Sequence, residues 1–166
     1  MTYDLRPVSA EADWEIVAWL WQAFQHDMAP VVGALPYADG RYQHLRLDEH
    51  PRPDGHGYLA CRPHPNTGES APVGFATVIQ RDGRWDMQAF WVAPAVRRDG
   101  LGSAFARDVI ARHPGAWEIA FQEGNVGAAV FWRRIAASVW GESWGETTEP
   151  VPGKPDVPPD HWIRTR

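Results

Sequence analysis

The sequence predicts a mixed α/β domain in which about four helices flank a mostly antiparallel sheet of about seven strands. Three observations carry this. An apolar stripe with spacings of three and four lies near the N-terminus, the pattern changes to period two between residues 57 and 92, and single strands then alternate with short helices. With 166 residues the chain can bury one core, so residues 1–166 are expected to form one domain.

Residues 3–8 read as a strand, after which Ser9 can cap a helix whose first turn holds Glu11 and Asp13. Trp14, Val17, Trp21, Phe24 and Met28 fall on one face of that helix and read as core. A second short helix is expected over 39–48, with Pro36, Pro51 and Pro53 breaking the chain around it. Segments 57–62, 73–80 and 85–92 read as an antiparallel meander, joined by the turns Asn66-Thr67-Gly68 and Arg81-Asp82-Gly83. A helix over 100–112 stops at His113-Pro114-Gly115. A strand over 117–122, a helix over 127–137 and strands over 140–148 and 161–165 complete the order, the last two linked by a Pro-rich loop.

Composition narrows the function classes. Sixteen basic residues against 21 acidic ones give a net charge of -5, so no general field attracts nucleic acid or an anionic membrane, and neither is expected as a partner. The first residues hold no basic stretch followed by an apolar run, and no apolar segment approaches the roughly 20 residues of a membrane span, so a cytoplasmic location is expected. Cys61, the single cysteine, excludes an internal disulfide and a thiolate cage and reads as a small buried hydrophobe. His44, His50, His56 and His64 fit no compact ligand spacing, so no metal is expected. The only lysine, Lys154, is followed by Pro, which rules out a P-loop.

The stretch from Phe90 to Ala104 carries the chemistry. A strand ends at Pro94, Arg97 and Arg98 follow, and a helix opens on Gly100 and Gly102. The first amides of a helix have no internal partners and the macrodipole is positive there, so this arrangement suits a phosphate. Two glycines let a diphosphate approach the main chain and two guanidinium groups add charged hydrogen bonds, although a paired arginine is also compatible with a solvated loop. A dinucleotide fingerprint is disfavoured, because Phe105 stands where its third glycine belongs.

Val92-Ala93-Pro94 followed by Arg97-x-x-Gly100-x-Gly102 resembles the acyl-CoA-binding motif of the GNAT superfamily of N-acetyltransferases, and Asn125-x-x-Ala128-x-x-Phe131-Trp132 is similar to a second segment of that family. The element order matches the same fold. The resemblance implies a sheet splayed between its fourth and fifth strands and acetyl-CoA as co-substrate. The backbone of Arg98, Asp99, Gly100, Leu101, Gly102 and Ser103 would cradle the diphosphate with Arg97 beside it. The main chain at Trp91 and Val92 would pair with the pantetheine arm, and Asn125 and Ala128 would hold it from the other side. The Val92 N–H would serve as oxyanion donor.

A primary amine has a pKa of about 10.4, so about one molecule in 10³ is neutral at pH 7 and some group must take its proton. Glu118, in Trp117-Glu118-Ile119, resembles a catalytic carboxylate of some members; an ordinary strand-end carboxylate paired with an arginine is the other reading. Glu123, Asp86 and Asp27 are reserves. The family's usual tyrosine acid is matched here by Trp132, and an indole N–H is not a proton source in this pH range. The resemblance places the acceptor pocket near His26 and Asp27, with Asp86 and Gln88 contacting the acceptor. The function this implies is transfer of acetyl to a primary amine of a small molecule or peptide by direct attack in a ternary complex. A CoA-binding sensor with little catalysis is the alternative, and a homodimer is compatible with both the resemblance and the 10 tryptophans.

Overall fold

The structure, a computed structural model, describes residues 2–44, 47, 50 and 53–166. Seven strands form one sheet: β1 (Asp4–Val8), β2 (Gly55–Pro63), β3 (Ser70–Arg81), β4 (Arg84–Val92), β5 (Ala116–Gln122), β6 (Trp144–Glu149) and β7 (Asp160–Thr165), in the order β1-β2-β3-β4-β5-β7-β6. Every neighbouring pair is antiparallel except β4 and β5. The meander of β2, β3 and β4 and both of its turns stand as the period-two pattern predicts. Among the described residues three α-helices cover the sheet: α1 (Glu11–Val32), α2 (Leu101–Ala111) and α3 (Val126–Trp140).

The core divides by face. Val17 and Trp21 of α1 pack with Leu59, Cys61, Phe75, Ala89 and Trp91 on one side. Phe105 and Val109 of α2 and Trp132 and Ile135 of α3 pack with Tyr58, Met87, Trp117 and Ile119 on the other. Trp14, Val17, Trp21 and Phe24 of the α1 stripe therefore pack in the core while Met28 belongs to neither cluster, and Cys61 is buried on β2 as read. Of the ten tryptophans Trp19 alone is mainly exposed, at 76%, so the excess goes chiefly into the fold.

Three local expectations fail for identifiable reasons. Ala10, not Ser9, is the N-cap of α1, because the Asp13 carboxylate accepts the amides of both Ser9 (3.3 Å) and Ala10 (3.4 Å) and sets the helix start one residue later. The second helix is missing over 39–44, where the chain makes a turn, and its remainder, apart from Leu47, lies outside the described residues. Asp39 accepts the Arg41 amide (3.0 Å), a local side-chain bond that competes with helix. Gln22 exchanges bonds with the Tyr42 backbone (2.7 and 3.1 Å) and the Trp21 indole donates to the Gln43 carbonyl (2.8 Å), which ties the loop to α1 instead. Trp140 belongs to α3, so the sixth strand starts later than its apolar pattern suggests.

At the closed end of the β4–β5 pair, His113 is buried against Trp85, with ring centroids 4.2 Å apart, and its Nε2 lies 2.8 Å from the Tyr58 hydroxyl. Its carbonyl accepts the Trp117 indole N–H (2.9 Å). Burial, followed by the charges of His56 and Arg112, pushes its pKa down to about 4. Among the described residues no helix is long and apolar enough to cross a membrane.

Candidate functional site

β4 and β5 pair only at Arg84–Ala116, Trp85–Trp117 and Asp86–Glu118, and beyond that rung they separate. The cause is visible on the other edge of β4. Its register with β3 passes from Val78–Met87 to Thr77–Ala89, leaving Gln88 as an extra residue. Such a bulge bends and twists a strand. It lies immediately past the last β4–β5 rung. A cavity of 760 Å³ opens there, lined on the β4 side by Phe90, Trp91 and Val92.

The direction of the main chain follows from one bond. The Ala93 N–H donates to the Val73 carbonyl (2.8 Å), so by alternation the Trp91 amide also faces β3, while those of Phe90 and Val92 face the gap. The expectation for Trp91 and Val92 therefore splits. Val92 offers its N–H to the cavity, whereas Trp91 reaches it by its side chain, whose indole donates to Asp27 (2.9 Å).

At the mouth, the chain leaves β4 through a short 3-10 turn (Pro94–Val96) and enters α2 with Arg98 at φ 69° and Gly100 at φ 86°. Gly100, Gly102 and Ser103 line the cavity. Asp99 and Leu101 do not line it. The Asp99 carboxylate takes the Leu101 amide (3.0 Å) and pairs with Arg62 (2.7 Å), and Leu101 is buried beneath the loop. The Leu101 amide first, and then Arg62, hold the Asp99 carboxyl below its usual range. These two residues frame the turn. The amides of Gly102 and Ser103, in the first turn of α2, have no acceptor within a helix.

The two arginines diverge. Arg97 donates Nε to the Val92 carbonyl (2.7 Å) and pairs with Asp27, while the Arg98 guanidinium makes no hydrogen bond or ion pair among the described residues, although both line the cavity. Burial opposes the charge of Asp27, yet bonds from Arg97 and Trp91 outweigh it and lower its pKa. Asp27, expected to bind acceptor, is thus already committed to two partners.

Across the gap, Asn125 is the N-cap of α3. Its side chain accepts the Ala128 amide (3.2 Å) and its Nδ2 lies 3.4 Å from Met28 Sδ. Both Asn125 and Ala128 line the cavity. Trp132 does too; it is 5% exposed and set edge-on against Phe90 (5.2 Å) and Phe131 (4.8 Å). The pocket also takes in Phe24, Met28, Val130 and Arg134, which sequence reasoning did not assign to it.

At the vertex, Asp86 and Glu118 are neighbours in register and so share the α1 face of the sheet. Glu118 accepts Arg164 Nε (3.1 Å), Arg164 also pairs with Glu149, and Glu118 stands outside the cavity lining. Gln88 is buried, its Oε1 3.0 Å from His50 Nε2, and His50 stacks on Trp14 at 4.9 Å. His26 lies away from the cavity lining, edge-on to Tyr42 at 6.2 Å. His56 lies against His113 and His64 accepts the Asn66 amide, so these histidines go to separate places.

Glu123, a reserve base, sits elsewhere with Glu146 and His161, their ligand atoms within 4.8 Å of one another. Arg133 already spans both carboxylates, at 2.6 and 2.7 Å, where a cation would have to sit. Its bond to Glu146 is the main reason that carboxyl falls to about 2.

Known structures share this fold. Arabidopsis thaliana NAA60 in complex with a bisubstrate analogue superposes with a TM-score of 0.66 at 14% identity, covering 99% of this chain and 98% of that one. The ribosomal-protein-S18-alanine N-acetyltransferase of Escherichia coli gives 0.60 at 13%, covering 98% and 92%. A Corynebacterium glutamicum protein described as histone acetyltransferase HPA2 and related acetyltransferase gives 0.63 at 17%, covering 99% and 96%. No curated protein sequence matches. The model of the acetyltransferase (GNAT) family matches residues 14–136, a span that holds most of α1, the turn into α2, the splayed strands and most of α3, and the chain belongs to that family.

Proposed function

We propose that residues 1–166 act as one catalytic unit that transfers acetyl from acetyl-CoA to a primary amine of a small molecule or peptide, by direct attack in a ternary complex. The observation that carries this reading is the gap between β4 and β5, with main-chain amides turned into it and the start of α2 at its mouth. The diphosphate lies on the Gly102 and Ser103 amides with Arg98 beside it. The pantetheine arm then runs along β4 toward the vertex, held by the Val92 N–H and, across the gap, by Asn125.

Val92 stands beside the phosphate turn: a Cβ built on Gly102 would lie 3.7 Å from its Cγ2. The thioester at the far end of the arm therefore lies deeper than Val92. The oxyanion role first given to Val92 passes to the Phe90 amide, two residues nearer the vertex and already oriented before charge develops. The acceptor enters from the α1 face and loses its proton, through water, to the carboxylate pair Asp86 and Glu118 at the vertex. No side chain need protonate the leaving thiolate, since a thiol of pKa about 8.5 departs as an anion near neutral pH at a cost of about 2 kcal/mol.

Trp132 in the tyrosine position favours the second reading, a CoA-binding module without turnover. Calorimetry with acetyl-CoA followed by thiol release over a panel of amines and short peptides tests both. Binding with release for at least one amine is the result expected. Binding with no release supports the module, and absence of binding removes both.

A further inference from the structure

We propose that Arg134 recognises the 3′-phosphate of the coenzyme and thereby makes this protein discriminate CoA from dephospho-CoA; this rests on the reading that the cavity takes a CoA thioester. The charged lining of the cavity, among the described residues, is Asp27, Arg97, Arg98 and Arg134. Asp27 neutralises Arg97. Two positive charges remain, and neither Arg98 nor Arg134 makes a hydrogen bond or ion pair among the described residues. CoA carries two separate anionic groups, the diphosphate and the 3′-phosphate.

Arg98 belongs to the turn that receives the diphosphate. Arg134 is on the opposite wall, three residues beyond Phe131, whose ring edge lies 3.7 Å from the position of a Cβ on Gly102. Arg134 therefore stands one helical turn from the contact between α3 and the first turn of α2. Gly127, Val130 and Arg134 follow one another at spacings of three and four along α3, and all three line the cavity. Val130 is 51% exposed. This stripe sets an exposed valine side chain, which a purine ring can cover, one turn before a guanidinium. Arg133, the next residue back, points to Glu123 and Glu146 instead, which shows that the helix separates the two arginines by face.

Binding of CoA and of dephospho-CoA, which differ only in that phosphate, is measured by calorimetry on the wild type and on Arg134→Ala, Arg134→Lys and Arg98→Ala. The wild type is expected to prefer CoA about tenfold, the scale of one charged hydrogen bond. Arg134→Ala should bring CoA down to the affinity of dephospho-CoA, Arg134→Lys should keep part of the preference, and Arg98→Ala should weaken both ligands by the same factor. Equal wild-type affinities, or a preference that survives in Arg134→Ala, overturn the proposal while leaving the CoA reading intact. Binding of neither ligand by the wild type overturns both together.

Discussion

His113 makes the stability of this protein fall in weak acid, by an amount that can be worked out. Its pKa is about 4 in the folded chain and 6.5 in the unfolded one. Between those values the unfolded chain binds a proton that the folded chain refuses, so stability rises with pH across this window. The contribution is complete above pH 6.5, is lost as pH falls toward 4, and changes no further below that. A difference of about two and a half units corresponds to about 3 kcal/mol. The perturbation is His113→Gln, which cannot titrate. Urea unfolding of both proteins, followed by tryptophan fluorescence from pH 7 to pH 4, isolates the histidine, because other groups titrate in both. His113→Gln should be the less stable at pH 7, having lost the buried bond to Tyr58. The gap should narrow by about 3 kcal/mol on reaching pH 4, a relative midpoint shift of roughly 1.5 M at a slope of about 2 kcal/mol/M. A gap that stays constant over the range refutes the reasoning: His113 would then carry its proton as easily inside the fold as outside it.

Asp27→Asn removes the one carboxylate that the described residues place in a cavity assigned to a polyanion, and releases Arg97. CoA affinity should rise about fivefold at low salt, equivalent to about 1 kcal/mol, and the gain should shrink as salt is added. Calorimetry at two ionic strengths decides it, and weaker binding would mean that Asp27 is needed to hold Arg97 in its working position. Trp132→Phe should leave turnover within about threefold, since the indole supplies no proton, while costing about 1–2 kcal/mol of stability through lost volume. A drop in turnover of more than about tenfold at saturating substrates would assign the indole a part in the reaction.

The elements that sequence made legible are those specified locally. The α1 stripe and the alternating strands follow from period, and the turn at Arg81-Asp82-Gly83 from chemistry at three adjacent positions, with Asp82 at φ 49° and Gly83 at φ 77°. What remained hidden depends on partners distant in sequence. Parallel pairing of β4 with β5, and its end after Asp86, cannot be read from either strand and entered only through the family resemblance. Arg97 and Arg98 look equivalent side by side, yet Asp27, 70 residues away in sequence, captures one of them. Glu118 carries no mark in its own segment of the arginine that faces it from β7. Arg134 is one exposed helical arginine among others until the face of α3 that meets α2 is known.

The bulge at Gln88 has a thermodynamic corollary. Because the bend is written into the order of residues in β4, the cleft is open before any ligand arrives, and no binding energy goes into prising strands apart. Beyond that bend the facing edges of β4 and β5 make no main-chain bonds to each other, and the Val92 carbonyl is taken by the Arg97 side chain instead. A ligand that fills the slot acts as a missing strand and stabilises the native state according to its concentration relative to its dissociation constant. Protein stripped of such a ligand is the form in which chains would first begin to stick to one another.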